Sequence, residues 1–255
     1  MQIKRRDEFK DRAGDRQFSL SSIRILPEGK KLKASTLIAG FHGIGATGYW
    51  SVKFLIEELK ARRAFYIDSE FAPAVSSTLN GAISTPYEIY VCGELAFLKA
   101  EVPPLRENEN RFFRELGQWI VDTGVNEVAL IGGLDESLRA DSSEYRLVLT
   151  DAMVKRAQFD EEPILEEGKM IVGPVAILLN TLQMHDAAAY AILAYSNTER
   201  VDPRAAATAV EFLAERYAFK VSTAPLIKGA EELERELMGL AQKEKDHGSP
   251  NAVYS

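Results

Sequence analysis

Two stretches carry residue types whose spacing can do chemistry, and they sit near opposite ends of the chain. The first is Gly40-Phe41-His42-Gly43-Ile44-Gly45-Ala46-Thr47-Gly48, four glycines in nine residues. Glycines gather this densely where the backbone turns tightly or lets another group approach, so either a bound phosphate or a close packing contact is implied. Gly43-x-Gly45-x-x-Gly48 has the form of a dinucleotide fingerprint, and Asp68 stands 20 residues beyond Gly48, where a ribose-binding carboxylate belongs. Against it, Phe41 and His42 put two bulky groups in the cradle, and neither His185, at a helix end, nor His247, in the tail, makes a hydride-transfer partner. The competing reading is a glycine turn that packs a helix against a sheet. His42 has the chemistry of an acid, a base or a phosphate ligand, but a lone histidine in a turn without a partner equally reads as a hydrogen-bonded structural residue.

The second stretch is Val253-Tyr254-Ser255. A free α-carboxylate is an anion of defined geometry, which a lysine in a partner's pocket can capture while valine and tyrosine fill apolar walls beside it. The competing reading is a loose end without a role. Gly248 and Pro250 within the polar run before it end any helix, and about ten extended residues reach about 30 Å. Elsewhere, three scattered histidines and one cysteine show no metal-ligand spacing, no G-x-S-x-G elbow occurs, and Glu57-Glu58 and Glu161-Glu162 read as solvated faces. No catalytic residue, metal or cofactor is expected.

These stretches need a scaffold, and 255 residues with 46% hydrophobic content can bury a substantial core. A formal charge of −7 disfavours general affinity for nucleic acid or anionic membranes. The single cysteine, Cys92, excludes an internal disulfide framework and fits a reducing compartment. The charged N-terminus does not read as a signal peptide, and no apolar run approaches the roughly 20 residues of a membrane span. A cytoplasmic protein is expected.

The order of elements predicts an α/β fold, one domain with a mainly parallel sheet flanked by helices. Residues 1–35 read as a polar arm, with a possible strand at Phe18 to Leu26. Residues 36–228 read as the core domain, 229–245 as a heptad-like helix, and 246–255 as a flexible tail. Thr36 to Ala39 reads as a buried strand, the pattern from Tyr49 as a helix, and Ala64 to Ile67 as the next strand, which makes a right-handed parallel βαβ unit around the glycine turn. Asn80-Gly81 reads as a hairpin tip and Tyr87 to Val91 as a strand. Arg106 to Asp122 reads as a helix burying Phe112, Leu116, Trp119 and Ile120 and stopped at Gly124. Glu127 to Ile131 follows as a strand. Leu134 to Lys169 is acid-rich and predicts a surface excursion without a sheet element, with order returning at Met170 to Val172. Val175 to Met184 is a helix apolar nearly all round, a pattern found in buried helices or subunit contacts. Ala188 to Tyr195 is a continuous apolar strand. Asp202-Pro203 opens a helix with aspartate as N-cap, and Val210, Leu213 and Tyr217 share its inward face. Leu226, Ala230, Leu233, Leu237 and Leu240 have the spacing of a docking seam.

Taken together, these landmarks resemble the proteasome assembly chaperone 2 family, particularly its archaeal members, over about Thr36 to Val221. The resemblance is carried by the strand into Gly40–Gly48, Gly124-Val125, Ile131-Gly132-Gly133, Gly173-Pro174-Val175-Ala176, and Val201-Asp202-Pro203-Arg204-Ala205-Ala206. His42 departs from a proline that members often carry after the phenylalanine. The resemblance implies a fold akin to that of nucleoside phosphorylases. The ending is similar to the hydrophobic-tyrosine-any (HbYX) motif of proteasome activators and assembly factors, with Val253, Tyr254 and Ser255 in its three positions. The resemblance further implies that each tail enters a pocket between α-subunits of the 20S proteasome, where a lysine pairs with the carboxylate of Ser255. It implies a homo-oligomer, a tetramer or pentamer, acting as an assembly chaperone or activator without catalysis or ATP. The alternative is an enzyme that uses the Gly40–Gly48 turn to bind a nucleotide, NAD or phosphate.

Overall fold

The computed structural model describes residues 22–79, 81–156, 159 and 161–229. Along the chain these form β1 (Ile23–Leu26), β2 (Thr36–Gly40), α1 (Thr47–Glu58), β3 (Arg62–Ser69), β4 (Ser77–Leu79), β5 (Ala82–Ser84), β6 (Tyr87–Cys92), β7 (Leu95–Ala100), α2 (Glu109–Thr123), β8 (Glu127–Asp135), β9 (Tyr145–Leu149), α3 (Asp151–Val154), α4 (Pro174–Met184), β10 (Ala189–Ser196) and α5 (Pro203–Arg216). The expected α/β domain is observed. Its main sheet runs β1-β3-β6-β7-β2-β8-β10-β9, and β4 and β5 pair as a separate hairpin. The sheet is mixed. Parallel pairings join β7, β2, β8 and β10, while β1, β3, β6 and β7 are linked antiparallel on one side and β9 lies antiparallel to β10 on the other.

Side-chain alternation divides the centre of the sheet between two apolar layers. Leu37 and Ala39 of β2, Val128 and Leu130 of β8, and Ala189, Ala191 and Leu193 of β10 join Phe112, Phe113 and Leu116 of α2 and Leu178 and Leu182 of α4. Ile38, Ala129, Ile131, Tyr190 and Ile192 join Val52 and Leu55 of α1 and Val210 and Leu213 of α5. Both faces of the central strands are therefore covered, which is why β10 is a continuous apolar run with all eight residues buried.

Several helix ends follow from local chemistry. Gly124 ends α2 in the left-handed conformation with φ 70°, as C′ glycines do. Trp119, on that helix, is only partly buried. Asp202 caps α5, accepting hydrogen bonds from the backbone N–H groups of Arg204 and Ala205. The small residues of α5 bring it against α1, where Ser51 Oγ donates to the carbonyl of Ala206 at 3.2 Å. Gly81, with φ 77°, stands between β4 and β5 as a hairpin tip requires, while Asn80 lies outside the described residues.

Four expectations are corrected. The strand after α1 does not pair with β2: β6 and β7 lie between them, so β2 pairs with β7 instead. The hairpin that inserts there turns at Gly93-Glu94, and its second strand, β7, is an element not anticipated at all. The acid-rich stretch holds a sheet strand, β9, with Arg146 and Leu147 buried. Order does not return at Met170 to Val172, which forms neither helix nor strand and leaves the side chains of Met170 and Val172 89% and 79% exposed. Of the polar arm, β1 pairs with β3 at the sheet edge and buries Ile23. Residues 1–21 and the heptad-like segment beyond Gly229 lie outside the described residues, but Leu226, the first position of the seam, is buried against the α1/α5 layer.

Candidate functional site

The carboxyl ends of β2, β8 and β10 meet around the glycine turn, the position where open α/β sheets bind ligands. Here the chain fills that position with itself. A Cβ on Gly40 would lie 2.2 Å from the carbonyl oxygen of Gly48, one on Gly48 2.4 Å from the carbonyl oxygen of Ile131, and one on Gly133 2.3 Å from that of Ile44. Gly45, with φ 61°, leaves no room for a Cβ beside Ser196 Oγ, and its carbonyl accepts from the N–H of Asp202 at 2.8 Å. The N–H of Tyr49 donates to the carbonyl of Phe41. The glycines thus allow backbone-to-backbone packing of α1 on β8 and β10, and in the first turn the N–H groups of Thr47 and Tyr49 already donate to the carbonyls of Ile44 and Phe41.

The ribose-binding role for Asp68 fails for a topological reason. Three inter-strand steps, about 14 Å, separate β3 from β2, and Asp68 ion-pairs with Arg24 across the β1–β3 edge. His42 does have a neighbour. Its ring stacks on Tyr49 with centroids 4.1 Å apart, and desolvation there lowers its pKa against the opposing pull of Glu101.

Behind Tyr49 lies a buried polar cluster. Glu88 on β6 and Lys99 on β7 are cross-strand partners in register, and both are buried. Lys99 Nζ lies 3.3 Å from Glu88 Oε2 and 3.0 Å from Glu101 Oε2, and donates to Ser84 Oγ at 2.5 Å. Glu88 also accepts from Arg63, Ser84, the N–H of Thr85, and Tyr90, the last at 2.6 Å. Tyr49 OH donates to Glu101 Oε1 at 2.8 Å. Burial pushes the carboxyl of Glu88 up, but the hydrogen bonds of Tyr90 and Thr85 together with Lys99 outweigh it and hold Glu88 below the usual carboxylate range. Glu101 is likewise held low, by Lys99 and Tyr49 against desolvation. The pairing of Ser84 with Lys99 has the composition of a nucleophile and base. An ammonium clamped between two carboxylates cannot accept the serine proton, however, and the Ser84 hydroxyl already donates to Glu88 at 3.0 Å. This cluster fastens the β4–β5 hairpin to the sheet. Its trace in the sequence is that Glu88 and Lys99 interrupt two apolar runs.

The opposite flank presents hydrocarbon. Met170, Val172, Met184, Val154 and Ile164 are exposed around β9 and α4. Between them lie concavities of about 530 and 250 Å³ whose walls share Val148, Leu149, Lys169 and Ile171. Val253, Tyr254 and Ser255 lie outside the described residues. Among the described residues no group of histidine, cysteine and carboxylate side chains could hold a metal, and no helix is long and apolar enough to cross a membrane.

Comparison with solved structures places this geometry among known folds. PbaA of Pyrococcus furiosus, an archaeal homologue of a proteasome-assembly chaperone, superposes with a TM-score of 0.77 at 24% identity over 89% of this chain and 94% of that one. PbaB of the same organism, an archaeal proteasome activator, gives 0.71 at 18% identity over 87% and 100%. A PAC2 family protein from Streptomyces avermitilis gives 0.61 at 19% identity over 82% and 97%. Comparison with curated proteins gives no match. A family model described as the PAC2 family matches residues 37–241, from the first core strand past α5, and the chain belongs to that family.

Proposed function

We propose that this protein is a non-catalytic partner of the proteasome, an assembly chaperone or ATP-independent activator that docks Val253-Tyr254-Ser255 into pockets between 20S α-subunits. The observation that carries the reading is the glycine corner. In a fold shared with an archaeal assembly-chaperone homologue and an archaeal activator, the place where a related enzyme would hold its ligand is packed with this chain's own backbone. Recognition by a terminal motif leaves the sheet free to serve as a rigid platform. Several tails on one platform would bind with avidity, bridging neighbouring α-subunits or biasing the gate toward the open state. Stimulation of peptide hydrolysis by a 20S proteasome tests this. The intact chain is expected to stimulate or to compete with a known activator, and Tyr254→Ala to lose at least about tenfold in apparent affinity, as loss of a central aromatic anchor does. Equal action of the two proteins would defeat the reading.

Multivalency requires a homo-oligomer, a tetramer or pentamer, and the apolar face around β9 and α4 is our choice for its contact. Met170, Val172, Met184, Val154 and Ile164 leave hydrocarbon exposed on the elements around β9 and α4, which is costly in water, and α4 is apolar at every position except Asn180, Thr181 and Gln183. Native mass spectrometry of the intact chain is expected to give a single closed oligomer, and Met170→Asp combined with Met184→Asp to give monomer. An intact chain that is monomeric at micromolar concentration, or an unchanged mass for the double variant, would remove this contact.

A further inference from the structure

The chain carries an excess of acid, yet five cations surround one concavity of about 700 Å³ at the amino edge of the sheet: Lys30, Lys31 and Lys33 from the segment after β1, Lys60 behind α1, and Arg62 opening β3. All five are exposed, and no carboxylate lines the space. None of the five forms an ion pair with a carboxylate of the described residues. Like charges gathered around one hollow repel one another, and no carboxylate among the described residues pairs with them to offset that repulsion.

The sheet explains the hollow. β1 stops at Leu26, opposite Tyr66, so the Arg62–Phe65 half of β3 has β6 on one side and, among the described residues, no strand on the other. Lys30 folds back over that open edge, donating from Nζ to the carbonyl of Ala64 at 3.1 Å and lying 4.9 Å above the ring of Phe65. The Ala64 acceptor is thereby taken, which disfavours an extended peptide adding here as a strand. What remains for a ligand is four ammonium groups and one guanidinium around a space of small-molecule size. Ammonium groups act as point charges that approach a tetrahedral phosphate from several directions, whereas planar carboxylates favour the arginine fork.

We propose that this concavity binds a compact polyphosphate anion, of the class of nucleoside triphosphates or inositol polyphosphates. The site is at the opposite end of the strands from the glycine corner, and it does not depend on the proteasome reading. Isothermal titration of the intact chain with inorganic tripolyphosphate tests it. Saturable one-to-one binding that weakens with added salt is expected. Lys31→Glu with Lys33→Glu should lower the affinity at least about tenfold, two reversed charges acting on one multiply charged ligand. Both residues are exposed in a loop, and Lys31→Ala with Lys33→Ala provides a milder variant expected to show a smaller loss in the same direction. Absence of saturable binding at physiological salt would overturn the proposal, as would unchanged affinity in both variants. Tighter binding of an oligoglutamate peptide or of single-stranded DNA than of tripolyphosphate would also overturn it, as would sulfate binding as tightly as tripolyphosphate.

Discussion

Gly48→Ala should lower stability by about 3–5 kcal/mol, among the larger effects a single methyl group can have. The added Cβ would lie 2.4 Å from the carbonyl oxygen of Ile131 and 2.7 Å from the N of Phe41, and both are backbone atoms that no rotamer change can move. Gly40→Ala should behave alike, because its Cβ would meet the carbonyl of Gly48 at 2.2 Å. Gly43→Ala is the control. It is a fingerprint position, yet a Cβ there meets nothing within 4 Å, and its φ of −165° is ordinary extended backbone. A change within about 0.5 kcal/mol is expected. Urea unfolding of the three variants tests the packing corner: large losses at Gly40 and Gly48 with none at Gly43 are expected, and unchanged stability in Gly40→Ala and Gly48→Ala would contradict it.

The second large effect is expected at the Glu88–Lys99 pair. Glu88→Ala leaves Arg63, Tyr90 and part of Lys99 without their acceptor in a buried site, and removing one partner of such a pair costs about 3–5 kcal/mol. The cluster also sets a pH dependence. Glu88 and Glu101 titrate below the ordinary value in the folded chain, so their contribution is complete above the unfolded carboxyl pKa of about 4.3 and is lost as pH falls through the lowered folded values. Acid unfolding followed by circular dichroism should therefore begin at higher pH in Lys99→Met than in the parent chain. In that variant the ammonium no longer holds the two carboxyls low. Coincident acid transitions would show that the lysine does not control the titration.

Much of the scaffold was legible because the central strands are buried on both faces. Thr36–Gly40 and Ala189–Ser196 are unbroken apolar runs, and Gly124, Gly173-Pro174 and Asp202-Pro203 mark helix ends by backbone chemistry that needs no tertiary context. Strand order was not legible in the same way. Nothing in the pattern of residues 36–69 announces that the β6–β7 hairpin will enter between β2 and β3, because pairing partners are chosen by the packing of the whole sheet. β9 was hidden by its acidic surroundings, although Tyr145-Arg146-Leu147-Val148-Leu149 is strand chemistry, and its buried arginine is satisfied by Asp141 and Glu166 from those same surroundings. The glycine turn reads in sequence as packing or phosphate, and the distances to Ile131 and Ser196 decide for packing. Glu88 and Lys99 each look like a solvated position when read alone, and it is the antiparallel register that makes them a pair.

The corner therefore fixes a rigid platform, and the proposed chemistry of recognition rests on the free carboxylate of Ser255. Appending a single alanine after Ser255 keeps Val253, Tyr254 and the net charge, and moves only the position of that carboxylate. Surface-immobilised 20S proteasome titrated with the intact and the extended chains measures this directly. Our account predicts saturable binding of the intact chain and a loss of at least about tenfold on extension, the scale of one charge-assisted contact. Equal binding of the two chains would contradict it.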